Sequence, residues 1–209
     1  MDVIHLSCPV PRSVTVACSG GVDSMVALDF FMKGKKNIKV AYFDHGTSHG
    51  KVAKRFVESF CREYGIEFLE SCVTRQKMED ESPEEYWRNE RVSWLYSLPG
   101  TVVTAHHLDD AVEWWIFSSL NGTGRLIPST NRNIIRPFLW AQKSEIISWA
   151  NRNNVPHVED ESNMNLRYAR NRVRHNILPE ALKINPGLYK VVKKKLQRNS
   201  EFGGNKPVC

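Results

Sequence analysis

The sequence lacks any long apolar run. Among its 209 residues, no uninterrupted hydrophobic stretch reaches the roughly 20 residues that a membrane-spanning helix requires. Its first residues, MDVIHLSCPVPRS, carry neither the basic segment nor the apolar core of a secretory signal. We therefore expect a cytoplasmic protein that makes no membrane contact.

The sequence also lacks paired cysteines. Its five cysteines are odd in number, are scattered along the chain and form no CxxC motif; they are Cys8, Cys18, Cys61, Cys72 and Cys209. This distribution argues against a disulfide framework and against a cysteine-based zinc site. It is typical of free thiols in a reducing compartment.

Internal repeats and low-complexity blocks are absent as well, which excludes repeat proteins and biased, disordered chains. A hydrophobic content of 41% is sufficient for a globular core. Basic side chains outnumber acidic ones by 29 to 23, for a net charge of +6. An excess of this size permits a polyanionic partner but does not require one.

Short β-rich apolar segments alternate with segments of helical periodicity. We predict strands at residues 14–18, 38–43, 66–73, 101–105 and 134–138. Predicted helices cover residues 24–32, 52–64 and 143–153, and two more start at Pro83, behind an N-cap at Ser82, and near Asp109. This alternation is typical of an α/β protein with a doubly wound parallel sheet, a Rossmann-like architecture.

The composition of the chain changes from about Asn121. We predict three parts: an α/β domain at residues 1–140, a helical, arginine-rich extension at 141–190 that completes the core, and a basic flexible tail at 191–209. Within the extension, helix is expected after Asp160 up to about Leu182.

A glycine-rich turn follows the first predicted strand and leads into the first helix. Its residues are Ser19, Gly20, Gly21, Val22, Asp23 and Ser24. In a doubly wound sheet, ligands bind at the carboxyl ends of the strands. Glycines at a helix N-terminus direct backbone N–H groups toward an anion, so the turn predicts a phosphate site. The spacing fits neither the Walker loop nor GxGxxG, and an ordinary strand-to-helix turn is the alternative.

An acidic cluster follows the fourth predicted strand, in the stretch TAHHLDDAVEWW. Its polar members are His106, His107, Asp109, Asp110 and Glu113. Asp110 and Glu113 are three apart and share one helix face, where carboxylates could bind Mg²⁺ or orient an amine. For Asp109, a solvated helix start favoured by the helix dipole is the alternative. Zinc is disfavoured because no HExxH pattern and no nearby cysteine accompany the histidines.

These two stretches resemble one known family. Ser19–Ser24 matches the SGGxDS motif of the ATP-pyrophosphatase or PP-loop enzymes, which adenylate a substrate and release pyrophosphate. The acidic stretch is similar to the H-H-x-D-D-x-x-E motif of tRNA(Ile)-lysidine synthases, one branch of that family. Five further motifs of that branch follow its order: Asp44-His45-Gly46, Glu85 to Arg91, Asn121 to Gly124, Arg136-Pro137, and Glu159 to Asn163 with Arg170 to Arg174.

The chain departs from the family pattern at several positions. Trp87 replaces the small residue that is usual in the family, Trp114 replaces threonine and Asn121 replaces arginine. Thr47-Ser48 replaces the usual Leu-Arg. Most such enzymes also carry further tRNA-binding domains after this core. The sequence thus resembles a minimal form of the family, which leaves its affinity for whole tRNA open.

The resemblance implies a fold, an activity and partners. The expected fold is that of the adenine nucleotide α-hydrolase-like (HUP) group, with residues 1–140 as the catalytic domain. The expected reaction is adenylation of the C2 oxygen of the wobble cytidine in CAU-anticodon tRNA(Ile) by ATP. Attack by free L-lysine then gives lysidine and AMP, in a ligase that needs ATP and Mg²⁺.

The resemblance also implies roles for residues. The Ser19–Ser24 loop is expected to bind the pyrophosphate end of ATP, and Asp23 to bind Mg²⁺. His106, Asp110 and Glu113 are expected to hold lysine and the base, and the expected catalytic residues are Asp23, Arg88, Asp110 and Glu113.

Five arginines are expected to bind RNA: Arg91, Arg167, Arg170, Arg172 and Arg174. On a helix, Arg167, Arg170 and Arg174 lie on one side and form a basic stripe suited to phosphates, with a solvated helix face as the alternative.

Two other functions stay open. A tRNA thiolase of the same superfamily needs cysteines for sulfur transfer or a cluster, and the scattered thiols do not suit it. A non-catalytic RNA-binding remnant is disfavoured by the retained Ser19–Ser24 loop, Asp110 and Glu113. Synthetases that make NAD or GMP with the same loop are disfavoured too, because they lack the Arg-Asn-Arg segment that this chain carries. The sequence assigns neither an oligomeric state nor an aromatic platform for the target base.

Overall fold

A computed structural model of the chain describes residues 4–159 and 169–202. The strands, numbered in chain order, are β1 (Ser13–Ala17), β2 (Asn37–Asp44), β3 (Glu67–Cys72), β4 (Val102–Val103), β5 (Thr130–Asn131) and β6 (Ile134–Ile135). The α-helices are α1 (Val22–Lys33), α2 (Ser48–Glu63), α3 (Pro83–Ser97), α4 (Leu108–Leu120), α5 (Lys143–Asn153), α6 (Ala169–Arg172), α7 (Leu178–Ile184) and α8 (Leu188–Phe202).

The strands form one sheet in the order β3-β2-β1-β4-β6-β5. All neighbours are parallel except β5, which pairs antiparallel with β6 at the edge. The predicted parallel α/β sheet is therefore confirmed. The edge strand β5 was not predicted, because its two residues lie in a turn-rich stretch with no apolar alternation.

Helices cover both faces of the sheet, and alternate side chains of the strands meet them. Val16, Val40 and Val103 are fully buried in one core with residues of α1, α2 and α5. Ala41, Val102 and Ile134 are buried in a separate cluster with α3. This alternation is what a doubly wound sheet requires.

Two predicted strands are shorter in the structure. Strand pairing in the segment 101–105 is confined to Val102–Val103, and pairing in 134–138 ends at Ile135. Pro137 has no N–H for a sheet hydrogen bond, and a 3₁₀ turn, Pro137–Trp140, follows instead. Ser82 caps α3 as predicted, because its hydroxyl accepts from the backbone N–H of Glu85 at 3.2 Å.

The structure corrects the prediction of a flexible basic tail from residue 191. Helix α8 extends to Phe202, and its residues Leu188, Val192 and Leu196 are buried against α4. These residues recur every four positions, so they form one apolar stripe between lysines. The lysines gave the segment its polar composition and concealed the stripe.

The arginine-rich extension is helical where it is described. α6 leads through a π-helical turn, Val173–Ile177, into α7, which ends at Ile184. The predicted helix start after Asp160 lies outside the described residues. The boundary between residues 140 and 141 stays a prediction; α5, just beyond it, places Ile146 and Ala150 in the core beside α1. Within the described residues, no helix is both long and apolar enough to cross a bilayer.

Candidate active site

The glycine-rich loop joins β1 to α1 and is held by its own serine. The Ser24 hydroxyl accepts from the Ser19 N–H at 3.1 Å and donates to the Gly21 carbonyl at 2.9 Å. Ser24 is buried, whereas Ser19 is exposed. Ser24 therefore shapes the loop, and its hydroxyl also lies 3.3 Å from the hydroxyl of the exposed Ser19.

Gly20 is a position that only glycine fits well. Its φ is +84°, and a Cβ there would lie 3.1 Å from Val158 Cγ2 and 3.2 Å from Val57 Cγ2. Its carbonyl accepts from the Val158 N–H at 2.9 Å. The left-handed backbone and this close approach explain the glycine and fix the exit from β1.

The N-termini of three helices meet beside this loop. Asp23 lies in the first turn of α1, His107 caps α4 and Lys143 opens α5. The Lys143 ammonium is 2.5 Å from Asp23 Oδ1, and its backbone N–H donates to Asp109 Oδ2 at 2.7 Å. Three helix ends at one place create a positive electrostatic potential, which suits an anion.

His107 joins the loop to the acidic cluster. Its Nε2 lies 3.7 Å from Asp23 Oδ1 and 3.5 Å from Asp110 Oδ2, and its Nδ1 lies 3.6 Å from Asp109 Oδ2. Burial disfavours the charged ring, but the carboxylates of Asp110, Asp109 and Asp23 outweigh it and raise the pKa of His107 to about 10. His107 is thus a buried imidazolium, with 4% of its side chain exposed.

The same contacts lower the pKa values of the carboxylates. Burial opposes ionisation of Asp23, yet His107 and Lys143 together hold its pKa below the ordinary value. Burial likewise opposes ionisation of Asp110, and the charges of His107, Arg170 and His106 lower its pKa. Both carboxylates are therefore ionised at neutral pH.

Asp110 and Glu113 share one face of α4, as predicted, and two arginines cover them. Arg174 donates to both oxygens of Glu113, at 2.6 and 3.0 Å, and Arg170 donates to Asp110 Oδ1 at 3.1 Å. The Glu113 side chain is only 2% exposed. The π-helical turn and α6 carry these arginines over the N-terminal half of α4.

Two arginines of the predicted basic stripe take part in this pairing. Arg170 and Arg174 contact the carboxylates, while 39% and 33% of their side chains are exposed. Arg172 is exposed, while Arg167 lies outside the described residues. Their binding to RNA stays a prediction.

A second group of arginines lies beside His106. Burial and the charges of Arg170, Arg88 and Arg136 lower the pKa of Arg91. Arg136 donates through Nη1 to the Pro128 carbonyl at 2.9 Å, and its buried Nε has no partner among the described residues. This concentration of positive charge suits an anionic substrate group.

The two histidines nearest these arginines are neutral. Burial, with Arg136, Arg170 and Arg91, outweighs Asp110 and lowers the pKa of His106 to about 3. Burial and Arg91 lower the pKa of His45 to about 4. His106 Nδ1 lies 2.9 Å from the Thr104 hydroxyl, so its ring is oriented for hydrogen bonding.

Both tryptophans that depart from the family pattern lie at this cluster. The Arg88 guanidinium lies 5.4 Å from the centre of the Trp114 ring, and the rings of Trp87 and His45 are 5.8 Å apart. Aromatic rings beside cationic side chains are the surfaces on which unpaired bases stack.

Magnesium fits this site only together with a phosphate ligand. No group of three or more acidic, histidine or cysteine side chains that could hold a metal occurs in the described parts of the chain. Asp23 offers a carboxylate beside the loop with 35% of its side chain exposed. Mg²⁺ commonly takes one or two carboxylates and completes its shell with phosphates and water, which matches this arrangement.

Sequence reasoning missed Lys143 and Tyr189. The Tyr189 hydroxyl, near the start of α8, donates to Asp109 Oδ1 at 2.9 Å. Lys143 opens a predicted helix, where a charged side chain is ordinary, and Tyr189 precedes the supposed tail. Nothing local in the sequence distinguishes either residue.

The chain belongs to the PP-loop domain family, whose profile matches residues 5–181. Membership in this ATP-using family implies that the chain binds ATP. The loop and the acidic cluster were thus correctly recognised as parts of such a domain.

Within that family, the chain is similar to tRNA(Ile)-lysidine synthases from several bacteria. It is 35% identical to the one from Thermotoga maritima over 190 residues, which cover 83% of this chain and 46% of the relative. It is 33% identical to the one from Haemophilus ducreyi, with coverage of 82% and 42%. The chain thus spans less than half the length of these relatives.

Solved structures support the fold. An NH3-dependent NAD synthetase from Campylobacter jejuni superposes with a TM-score of 0.53 at 15% identity, covering 96% of this chain and 91% of that one. An NMN synthetase from Francisella tularensis gives 0.52 at 10% identity, with coverage of 95% and 89%. At these identities the likeness concerns architecture alone.

Proposed function

We propose that this chain catalyses lysidine formation on tRNA(Ile) with a CAU anticodon, with ATP and free L-lysine as the other substrates. One observation carries the proposal: the phosphate loop and the acidic pair of α4 share one centre, bridged by His107 at 3.7 Å from Asp23 and 3.5 Å from Asp110. The similarity to lysidine synthases supplies the reaction class.

In the first step, the C2 oxygen of the wobble cytidine attacks the α-phosphorus of ATP, and pyrophosphate leaves. The N–H groups at the start of α1 and the Ser19 hydroxyl bind the departing pyrophosphate. Asp23 would hold the Mg²⁺ that offsets the charge of the pyrophosphate. These donors are fixed before the reaction by the Ser24 hydrogen bonds, so they need little reorganisation.

In the second step, the amine of lysine attacks C2 of the adenylated base, and AMP leaves. Asp110 and Glu113 position the ammonium and accept its proton. Since Arg170 and Arg174 occupy both carboxylates, these arginines pass to RNA phosphates when the tRNA docks. Neutral His106 hydrogen-bonds the base, and Arg88 and Arg91 bind the base or its phosphates.

The direct test combines the protein with ATP, Mg²⁺, labelled lysine and tRNA. We expect label on the CAU-anticodon tRNA(Ile), release of pyrophosphate and no label on the same tRNA with a GAU anticodon. Omission of ATP is the second control. Binding of tRNA without label at every magnesium concentration would contradict the proposal and favour a non-catalytic RNA-binding role.

A further inference from the structure

Lys143 occupies an unusual position for a side chain outside the recognised motifs. Its ammonium is 2.5 Å from Asp23 Oδ1, and Asp23 is part of the phosphate loop. The two residues are 120 positions apart in the chain, so only the fold brings them together. The backbone of Lys143 is itself fixed by Asp109, which accepts its N–H at 2.7 Å.

The charges of the side chains around Lys143 are balanced. Four carboxylates face four cationic side chains: Asp23, Asp109, Asp110 and Glu113 against His107, Lys143, Arg170 and Arg174. A triphosphate at the loop adds several negative charges beside carboxylates that already pair with these four cations. Binding is therefore favoured if one cation moves from a carboxylate to the phosphates.

Lys143 is the cation best placed to make this exchange. His107 is enclosed by three carboxylates, and Arg174 is held to Glu113 by two hydrogen bonds. Lys143 contacts a single carboxylate through a flexible four-carbon chain, and 37% of its side chain is exposed. Of the four cations, it also makes the shortest contact to the loop carboxylate, at 2.5 Å from Asp23 Oδ1 against 3.7 Å for His107 Nε2.

We propose that Lys143 is a phosphate-binding residue that leaves Asp23 when the nucleotide binds. Its ammonium then contacts the triphosphate, and the Asp23 carboxylate becomes available to the accompanying Mg²⁺. Lys143 and the metal thus compete for one carboxylate. This inference rests on the proposed ATP-dependent function but not on the identity of the RNA or the amino acid.

Equilibrium binding tests this exchange without catalysis. A fluorescent ATP analogue with an uncleavable α,β-methylene link is titrated in the absence of tRNA and lysine, and MgCl2 is then titrated at fixed nucleotide. For Lys143→Met we expect nucleotide affinity at saturating Mg²⁺ to fall about tenfold, the loss of one charged hydrogen bond. The Mg²⁺ concentration at half-saturation should fall, because the triphosphate then lacks the ammonium that offsets part of its charge.

Two variants serve as controls. Lys143→Arg keeps the charge and should restore nucleotide affinity to within about threefold of wild type. Lys33→Met removes a lysine that lies 2.6 Å from Asp29 at the far end of α1, and it should leave both quantities unchanged. Thermal unfolding of each variant confirms that the fold is retained.

The outcomes separate the two proposals. Unchanged nucleotide and Mg²⁺ binding in Lys143→Met, or a parallel loss of both, would overturn the exchange and leave Lys143 as a structural partner of Asp23. Absence of nucleotide binding by the wild type would overturn the proposed function and this inference with it. The expected binding pattern in a protein that transfers no lysine would sustain the exchange and refute only lysidine formation.

Discussion

His107 lies in contact with three carboxylates and is almost entirely buried. These contacts favour the charged ring, because the cation offsets the repulsion among Asp23, Asp109 and Asp110. Its backbone N–H also donates to Asp110 Oδ2 at 3.0 Å. One residue therefore fixes the distance between the phosphate loop and the acidic pair.

Replacement of His107 by asparagine should reveal this charge in the nucleotide-free protein. The folded pKa of about 10 lies above the unfolded value of about 6.5. The stabilising contribution of His107 is thus complete below about pH 6.5 and is lost as pH rises toward 10. Between about pH 7 and 9, the difference in unfolding free energy between wild type and variant should shrink by about 1.4 kcal/mol per pH unit. Urea unfolding across this range measures it, and a pH-independent difference would show that His107 is neutral.

Asp110→Asn should lower lysine incorporation at least about 100-fold and leave the fold intact. The amide keeps the shape of the side chain but can neither balance an ammonium nor accept its proton. Labelled-lysine transfer and thermal unfolding measure the two effects. Glu58→Gln, which alters an exposed pair with Arg62 on α2, is the matched control and should be silent. Full activity of Asp110→Asn would disprove this assignment.

At the scale of elements, α8 is the main difference between expectation and structure. Its apolar stripe packs on α4, which carries Asp110 and Glu113, and Tyr189 at its first turn contacts Asp109. Four lysines lie between the members of this stripe: Lys190, Lys193, Lys194 and Lys195. Composition suggested a tail, whereas the four-residue spacing of Leu188, Val192 and Leu196 specifies a helix that supports the site.

Leu196→Ala should therefore destabilise the protein by about 2–4 kcal/mol, because it leaves a cavity between α8 and α4. The neighbouring Lys194 is exposed, and Lys194→Ala should change stability by less than about 0.5 kcal/mol. Urea unfolding of both variants gives the comparison. Equal stability of Leu196→Ala and wild type would mean that α8 does not support α4.

Most elements were predictable from local pattern. Helix α5 has the predicted bounds, Lys143–Asn153, and strands β1, β2 and β3 differ from prediction by one residue at their ends. Two features were not predictable: strand β5 and the restriction of β4 to two residues. Pairings of two residues depend on neighbouring strands and not on alternation along the chain.

At the scale of the whole molecule, internal cations occupy the positions that the proposed substrates require. Lys143 lies on the phosphate-loop carboxylate, and Arg170 and Arg174 lie on the acidic pair. Substrate binding then exchanges one set of ion pairs for another and leaves few buried charges unpaired. The net charge of +6 favours the approach of RNA.

Binding of tRNA should accordingly depend on salt. Arg172 is exposed, and Arg172→Ala should weaken tRNA binding to a similar degree for all anticodons. It should also reduce the slope of log affinity against log salt by about one, the loss of one phosphate contact. Filter binding or anisotropy over a range of KCl concentrations measures both. Arg62→Ala, at the C-terminal end of α2, is the control, and an unchanged slope in Arg172→Ala would remove this residue from the RNA interface.

The sequence by itself determined the alternation of strands and helices, the phosphate loop and the carboxylates of α4, because each depends on residues close together in the chain. The tertiary structure alone decided which charges meet. Asp23 pairs with Lys143 across 120 positions, Asp109 with Tyr189 across 80, and Asp110 with Arg170 across 60. Local propensity carries no information on such pairs, since they form only when the parallel sheet brings three helix N-termini to one edge.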